Sequence, residues 1–488
     1  MIGGRGTLAP AIPVKLRRPE PVLFATAVAA ALLIGPGRPL YWDTFGYLMQ
    51  AINGDVGGLM LGRPVFVYVS YLLAHAFIAL GGSVWTVEPV LRVFWMVVSC
   101  TAAPLTYLLA RNVGLTSRAA AIAGIAVAVS PALAHTSNAV LTDGPALALT
   151  LLSLVLASRA VAADTPGTRA TGLAAAAGAV MGLACGVRET AVLNVASLGL
   201  IVLLAPRSTR MSVLLAASSS LVLAGTAPVL WAYAHQPGYI EMIQAWRSSM
   251  AAHRLEKTYG IRDFGFAMAW TFALGPVTFV AAFVAWWRER RRLLLTPGTL
   301  VFALVAPSVA QWIFFGGYLD ISYSPRYLLA ALPGALAIPA AMTFDGLTTT
   351  RRQAVVAVLA LVLPLIVATP IVRARERGVL EGLRTLRPMT STLSDHTVIV
   401  TGQMCPGIAW LETQIAFETG RAPGWETVCP GWAWPQDLSG RLDRAIREQR
   451  ALVFDLRPGS WVGAEQRAAL AEVEHYLATH QVAALTWR

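Results

Sequence analysis

The sequence predicts a polytopic α-helical membrane protein that ends in a small soluble α/β domain. Of 488 residues, 56% are hydrophobic and only 13% charged, about half the charged share of an ordinary soluble domain. The apolar residues gather into runs of roughly 17–25, the length that crosses about 30 Å of hydrocarbon. After residue 372 charges and tryptophans return and the apolar runs shorten.

The spans read 20–37, 88–110, 119–135, 143–159, 171–187, 190–206, 211–232, 265–287, 298–316, 327–344 and 353–372. One further apolar stretch, 64–81, has to be placed by charge. If it lies in the outer interface, every inside loop is basic. These loops hold Arg111 and Arg118, Arg159 and Arg169, Arg207 and Arg210, the run 288–292 with four arginines, and Arg351 with Arg352. The N-terminal tail adds Arg5, Lys15, Arg17 and Arg18. This is the positive-inside pattern. A crossing by 64–81 inverts everything after it. The sequence therefore predicts eleven spans and one helix near the membrane plane, beside Arg63 and His75. The same assignment explains the formal charge of +12 as orientation, with no nucleic-acid partner.

The first run follows a basic tail, as a signal peptide does. Gly35-Pro36-Gly37-Arg38-Pro39 leaves no small-residue cleavage site behind it, so an uncleaved span with a cytoplasmic N-terminus is predicted. An odd count then leaves residues 373–488 outside. Within them 397–400 and 451–456 read as buried strands, 438–449 and 465–480 as amphipathic helices, and 481–487 as a last strand. Cys405 and Cys429 both fall there, and an oxidising compartment predicts a disulfide between them. Cys100 and Cys185 lie inside spans and read as small apolar residues.

Ionisable residues near membrane segments are expensive, so the outer loops carry the functional candidates. The first loop reads Tyr41-Trp42-Asp43-Thr44-Phe45-Gly46-Tyr47, followed by Asp55 and Arg63-Pro64. Asp43 is either a helix cap or a general base whose acidity is tuned by partial desolvation. The second loop, 135–145, holds Asn138 and Asp143, and Asp143 admits the same two readings. Arg188-Glu189 sits at a hairpin tip, either as a structural ion pair or as a guanidinium within reach of a phosphate. Tyr323-Ser324-Pro325-Arg326-Tyr327 opens a span from the outer side, where arginine is disfavoured, and an arginine between tyrosines suits an anionic ligand or outer headgroups. The loop at about 233–264 is charged and reads as a solvated lid. His75, His235 and His253 show no metal-ligand spacing. No Walker loop, dinucleotide glycine fingerprint or H-E-x-x-H is present, which argues against a nucleotide-using site.

An Asp in the first outer loop, Gly62-Arg63-Pro64 before an interfacial helix, Asn138–Pro145, and Tyr323–Pro333 resemble, in order and spacing, the GT-C glycosyltransferases. The resemblance is to the protein O-mannosyltransferase and lipid A aminoarabinose transferase superfamily in particular, and it covers residues 20–335. It implies a GT-C catalytic domain over 1–372, with 64–81 as the juxtamembrane helix; the separate outer α/β domain over 373–488 is read from composition and lies outside the resemblance. It implies an enzyme of the bacterial inner membrane that passes a sugar from a polyprenyl-phosphate donor to a glycan, lipid or protein acceptor, with inversion. Asp43 matches the base, with Asp143 beside the same cavity. Arg63, Arg326, Tyr323 and Arg188 match the donor phosphate site, and Tyr41, Trp42, Tyr47, Asn138, Glu189 and Tyr327 match the cavity wall. Mannosyltransferases carry an Asp-Glu pair where this chain has Asp43-Thr44, and Gly62-Arg63-Pro64 stands where many relatives have His-Pro-Pro or Glu-Lys-Pro. Some GT-C enzymes use a divalent cation, Mg2+ or Mn2+, and others none, so both remain open here. A flippase for the same lipid-linked sugar is the alternative. It predicts paired broken helices in two similar halves, and no half-to-half similarity is present. A purely structural protein would have no need to bring Asp43, Asp143 and Arg326 together.

Overall fold

The structure is a computed structural model that describes residues 18–35, 42–54, 56, 63–162, 165–244, 248, 260–318, 325–347, 350–390, 396–401, 405–428, 438–455, parts of 471–479, and 485–486. It begins with α1 (Glu20–Ile34), α2 (Trp42–Asn53) and α3 (Pro64–Ala79). A 3-10 turn (Val84–Thr86) leads into α4 (Val87–Cys100), α5 (Ala102–Asn112), α6 (Ser117–Ala128), α7 (Pro131–Ser137), α8 (Asp143–Ala160) and α9 (Gly167–Val187). A second 3-10 turn (Glu189–Asn194) precedes α10 (Val195–Leu203) and α11 (Arg210–His235). Then come α12 (Ile261–Leu274), α13 (Pro276–Arg288), α14 (Leu300–Tyr318), a third 3-10 turn (Pro325–Ala331), α15 (Ile338–Leu347) and α16 (Arg351–Thr390).

Among the described residues six helical segments are long and apolar enough to cross a membrane, or eight if each of two bent pairs is one crossing. The chain is a multi-pass membrane protein. Three of the predicted spans are represented by shorter apolar helices, Glu20–Ile34, Glu189–Leu203 and Leu300–Phe314, and the stretch at 64–81 forms the 16-residue α3. Two predicted straight spans are broken. The first bends by 55° between α6 and α7 at Pro131, and the second by 117° between α12 and α13 at Gly275-Pro276. The physical reason is the same in both: proline has no N–H to continue the ladder and disfavours helical backbone in the residue before it.

The tightest contact in the membrane layer is between α9 and α11. Gly178, Gly182 and Gly186 recur every fourth residue on α9. A Cβ on Gly182 would lie 2.6 Å from the Leu221 carbonyl and the Gly225 nitrogen, so the two backbones touch. In lipid, where apolar side chains gain nothing by leaving one hydrocarbon for another, such close approach of small residues is what holds helices together.

The C-terminal residues fold differently. Strands β1 (Thr397–Thr401), β2 (Glu426–Val428), β3 (Ala451–Asp455) and β4 (Leu485–Thr486) form one parallel sheet in the order β2-β1-β3-β4. Helices α17 (Cys405–Thr419) and α18 (Leu438–Arg447) make the connections. β1 is buried throughout, as parallel strands covered on both faces are. The residues of α17 divide between two apolar clusters. Ile408 and Leu411 cluster with Ile399 of the sheet, and Trp410 belongs to the buried cluster of Phe45, Leu48 and Ile52 on α2. Gln414 donates to the Val84 carbonyl at 3.3 Å, and Trp85 Nε1 donates to Glu418 at 2.8 Å. The sheet is thereby fastened through α17 to α2 and to the 3-10 turn Val84–Thr86. The predicted disulfide involves Cys429 and the side chain of Cys405, which lie outside the described residues.

Substituting Gly182→Leu is expected to drive α9 from α11 and to destabilise the protein by about 1–3 kcal/mol, the cost of overpacking a close contact. A detergent melting curve unchanged from the wild type would show that the two backbones do not need this approach.

Candidate active site

Several helix ends meet at one level, and each brings a charge. Asp43 sits in the first turn of α2 and Asp143 in the first turn of α8, where the unpaired N–H groups of a helix favour a negative charge. Neither acts as a cap: α8 has Thr142 at that position, and Asp43 already lies inside α2. Arg63 immediately precedes α3, Arg188 and Glu189 follow α9, and Arg326 lies in the third 3-10 turn. Gly144 lets α8 begin close to α4, since a Cβ there would meet the Ser99 hydroxyl at 2.4 Å.

The charges form three ion pairs. Arg326 Nη2 donates to Asp43 Oδ2 at 2.5 Å, with the side chains 7% and 6% exposed. Arg188 Nη1 donates to Asp143 Oδ2 at 2.9 Å. Arg63 holds Glu189 with two parallel hydrogen bonds of 2.9 and 3.0 Å, the fork-on-fork geometry that makes arginine the strongest carboxylate partner. The chain neighbours Arg188 and Glu189 thus bond across the site, each to a residue from another helix.

Tyr47, one turn after Asp43, joins the pairs into one network. Its hydroxyl accepts from Arg63 Nη1 and lies 3.4 Å from Thr142 Oγ1, which in turn accepts from Arg188 Nη1 at 2.9 Å. Arg188 Nε donates to Thr190 at 3.1 Å. Burial pushes the Tyr47 hydroxyl up to about 12, with Arg63 opposing and Asp43 reinforcing it, so Tyr47 keeps its proton.

Asp143, Thr150, Arg188, Thr190, Asn194 and Arg326 line one cavity. Beside it lies a larger, mostly apolar cavity at the breaks of the two bent spans, bordered by Val129, Leu274, Leu328 and Leu332. Leu329 borders both. Arg326 therefore touches Asp43 and shares a cavity wall with Asp143, which brings together the three residues a structural protein has no need to gather.

Of the other sequence candidates, Asn138 lies elsewhere. Its amide donates to the carbonyls of Ala31 (2.9 Å) and Gly35, closing the C-terminal end of α1, so it supports the scaffold. Trp42 and Tyr327 belong to α2 and to the third 3-10 turn, while Tyr41 and Tyr323 fall outside the described residues. Thr142, Thr150, Thr190 and Asn194 were not singled out from sequence; they are uncharged and lie in or beside apolar runs. Among the described residues no three His, Cys, Asp or Glu side chains converge as metal ligands. Asp43, Asp143 and Glu189 are each bound to an arginine instead. The described residues do not fit a divalent cation, and no step is routed through one.

The family model for dolichyl-phosphate-mannose-protein mannosyltransferase matches residues 69–235, which hold Asp143, Arg188 and Glu189. No curated protein sequence matches the chain at a significant level. Among solved structures, ArnT from Cupriavidus metallidurans bound to undecaprenyl phosphate is similar, with a TM-score of 0.56 at 14% identity, over 89% of each chain. The fold is GT-C. The oligosaccharyltransferase of Archaeoglobus fulgidus, tethered to an acceptor peptide containing the NVT sequon, has the same GT-C architecture with a TM-score of 0.52 at 13% identity. That match covers 84% of this chain and 64% of the oligosaccharyltransferase. Asp43, Arg63 and Arg326 lie outside the family-model match and join Asp143 through the fold.

Tyr47→Phe removes the joint between Arg63 and Thr142 at nearly constant shape. It is expected to cost about 1–3 kcal/mol by leaving buried donors without their partner, read from a melting curve in detergent; an unchanged curve would show that the joint carries no stability.

Proposed function

We propose that this chain is a glycosyltransferase that moves a sugar from a polyprenyl-phosphate donor to an acceptor hydroxyl at the outer face of a bacterial inner membrane. The observation that carries the proposal is the buried Asp43–Arg326 pair, set at a polar cavity that adjoins a larger apolar one. A phosphate ester on a long hydrocarbon chain has the matching two-part chemistry. The likeness to ArnT, solved with undecaprenyl phosphate bound, supports this reading, as does the mannosyltransferase family model.

In the proposed reaction Asp43 takes the proton of the acceptor hydroxyl. The acceptor oxygen bonds to the anomeric carbon as the bond from that carbon to the phosphate oxygen breaks on the opposite face, so the configuration inverts. The electron pair leaves on the phosphate, where Arg326 and Arg188 stabilise the growing charge. The donor is already activated, and positioning with charge stabilisation supplies what remains. At rest Arg326 occupies the Asp43 carboxylate. A donor phosphate that takes Arg326 releases that carboxylate to act as base, so donor binding precedes acceptor activation.

In this reading eleven crossings comprise the six long segments, the two bent pairs and the three shorter helices, with α3 in the outer interface. The N-terminus is cytoplasmic. Residues 1–372 form the catalytic part and 373–488 the outer α/β part, which meets the glycan, lipid or protein acceptor.

The test is a transfer assay on purified protein with a panel of polyprenyl-phosphate sugars. Asp43→Asn is expected to lower turnover by about 100-fold or more, the usual contribution of a general base. It is also expected to bind polyprenyl phosphate at least as tightly as wild type, because Arg326 no longer has a carboxylate competitor. Retained turnover removes Asp43 as the base, and weakened lipid binding removes the exchange of partners at Arg326.

A further inference from the structure

Two side chains deep in the polar cavity have no role in the network of charges. Thr150 is 3% exposed and Asn194 5% exposed, and both line the cavity beside Arg188 and Arg326. Among the described residues neither side chain makes a hydrogen bond, and Asn194 does not cap the helix it precedes. Thr150 lies two turns along α8 from Asp143, about 10 Å farther in. Asn194 ends the 3-10 turn that begins at Glu189, next to Arg188. In a membrane segment, polar groups of this kind mark a polar pathway or ligand.

The geometry points to a sugar subsite: Asn194 and Thr150 read ring hydroxyls of the sugar on the donor. This rests on the glycosyltransferase reading. Both groups are neutral and stand beside two guanidiniums, which disfavours a cation. An amide offers one donor edge and one acceptor, the pairing that two neighbouring hydroxyls of a sugar ring require, and a threonine hydroxyl serves either sense. A phosphate held by Arg326 at one wall turns its sugar toward Asn194 and Thr150, which line the same cavity.

The experiment compares three probes on purified full-length protein: bare polyprenyl phosphate, a polyprenyl-phosphate hexose and a polyprenyl-phosphate pentose. Binding is measured for wild type, Asn194→Ala and the near-isosteric Thr150→Val. Wild type is expected to bind one sugar-bearing donor more tightly than the bare lipid phosphate. Each variant is expected to lose roughly tenfold in affinity for that donor, about one hydrogen bond to a buried group, while bare polyprenyl phosphate stays within about twofold. Discrimination between hexose and pentose narrows in step. Equal weakening of all three probes, or unchanged affinity for every donor in both variants, overturns the subsite. If Asn194→Ala does not fold, Thr150→Val alone decides. Failure of every lipid phosphate to bind wild type would instead remove the donor reading. The subsite is then judged by free hexoses and pentoses at millimolar concentration: binding that Asn194→Ala or Thr150→Val abolishes keeps it, and no binding ends it.

Discussion

Three guanidiniums and three carboxylates stand among apolar helices, and each is tolerable there because it neutralises another. Removing one partner from a buried pair costs about 3–5 kcal/mol, since the charge left behind has neither water nor counter-ion. That penalty ties the helix ends together. Arg326 belongs to a turn nearly three hundred residues from Asp43, and Arg63 and Glu189 come from different helices. Tyr47, protonated and central, keeps the pairs in one register. The membrane helices can pack as loosely or tightly as their glycines allow, but these ends have to meet.

The neutrality of the cluster also governs what enters it. With the positive charges already answered, an anionic headgroup gains little from arriving beside them and much from displacing a carboxylate. In the proposed reaction the displaced carboxylate then lies next to the bound phosphate, where the acceptor loses its proton, so that one exchange both seats the leaving group and exposes the base. In the same proposal the apolar cavity beyond Leu329 takes the hydrocarbon tail, beside the headgroup and out of water.

Much of this was legible in the sequence because charge in a membrane protein is costly enough to be conspicuous. Asp43, Asp143, Arg63, Arg188, Glu189 and Arg326 stood out for that reason alone. Their partners did not: Arg188 and Glu189 are adjacent in the chain yet bond to Asp143 and Arg63, which only three dimensions decide. Asn138 drew attention as a polar residue near an acid, and it closes α1. Thr150 and Asn194 carry no charge and sit in or beside apolar runs, so no pattern separates them from scaffold. A hydropathy window passes over Gly275-Pro276, although the pair was there to be read, and the 117° bend follows from it. The missed helix α17 has apolar residues in two clusters, which blurs the one-sided period that marks a surface helix.

That two-sided helix has a consequence for how the chain can be divided. Trp410 completes the apolar cluster of Phe45, Leu48 and Ile52 on α2, and the first turn of the same short helix carries Asp43. The C-terminal sheet is therefore fastened through α17 to the helix that carries Asp43. A version trimmed after the last membrane helix would bare an apolar patch on the helix that carries Asp43, and a replacement sheet would have to bring a matching tryptophan with it.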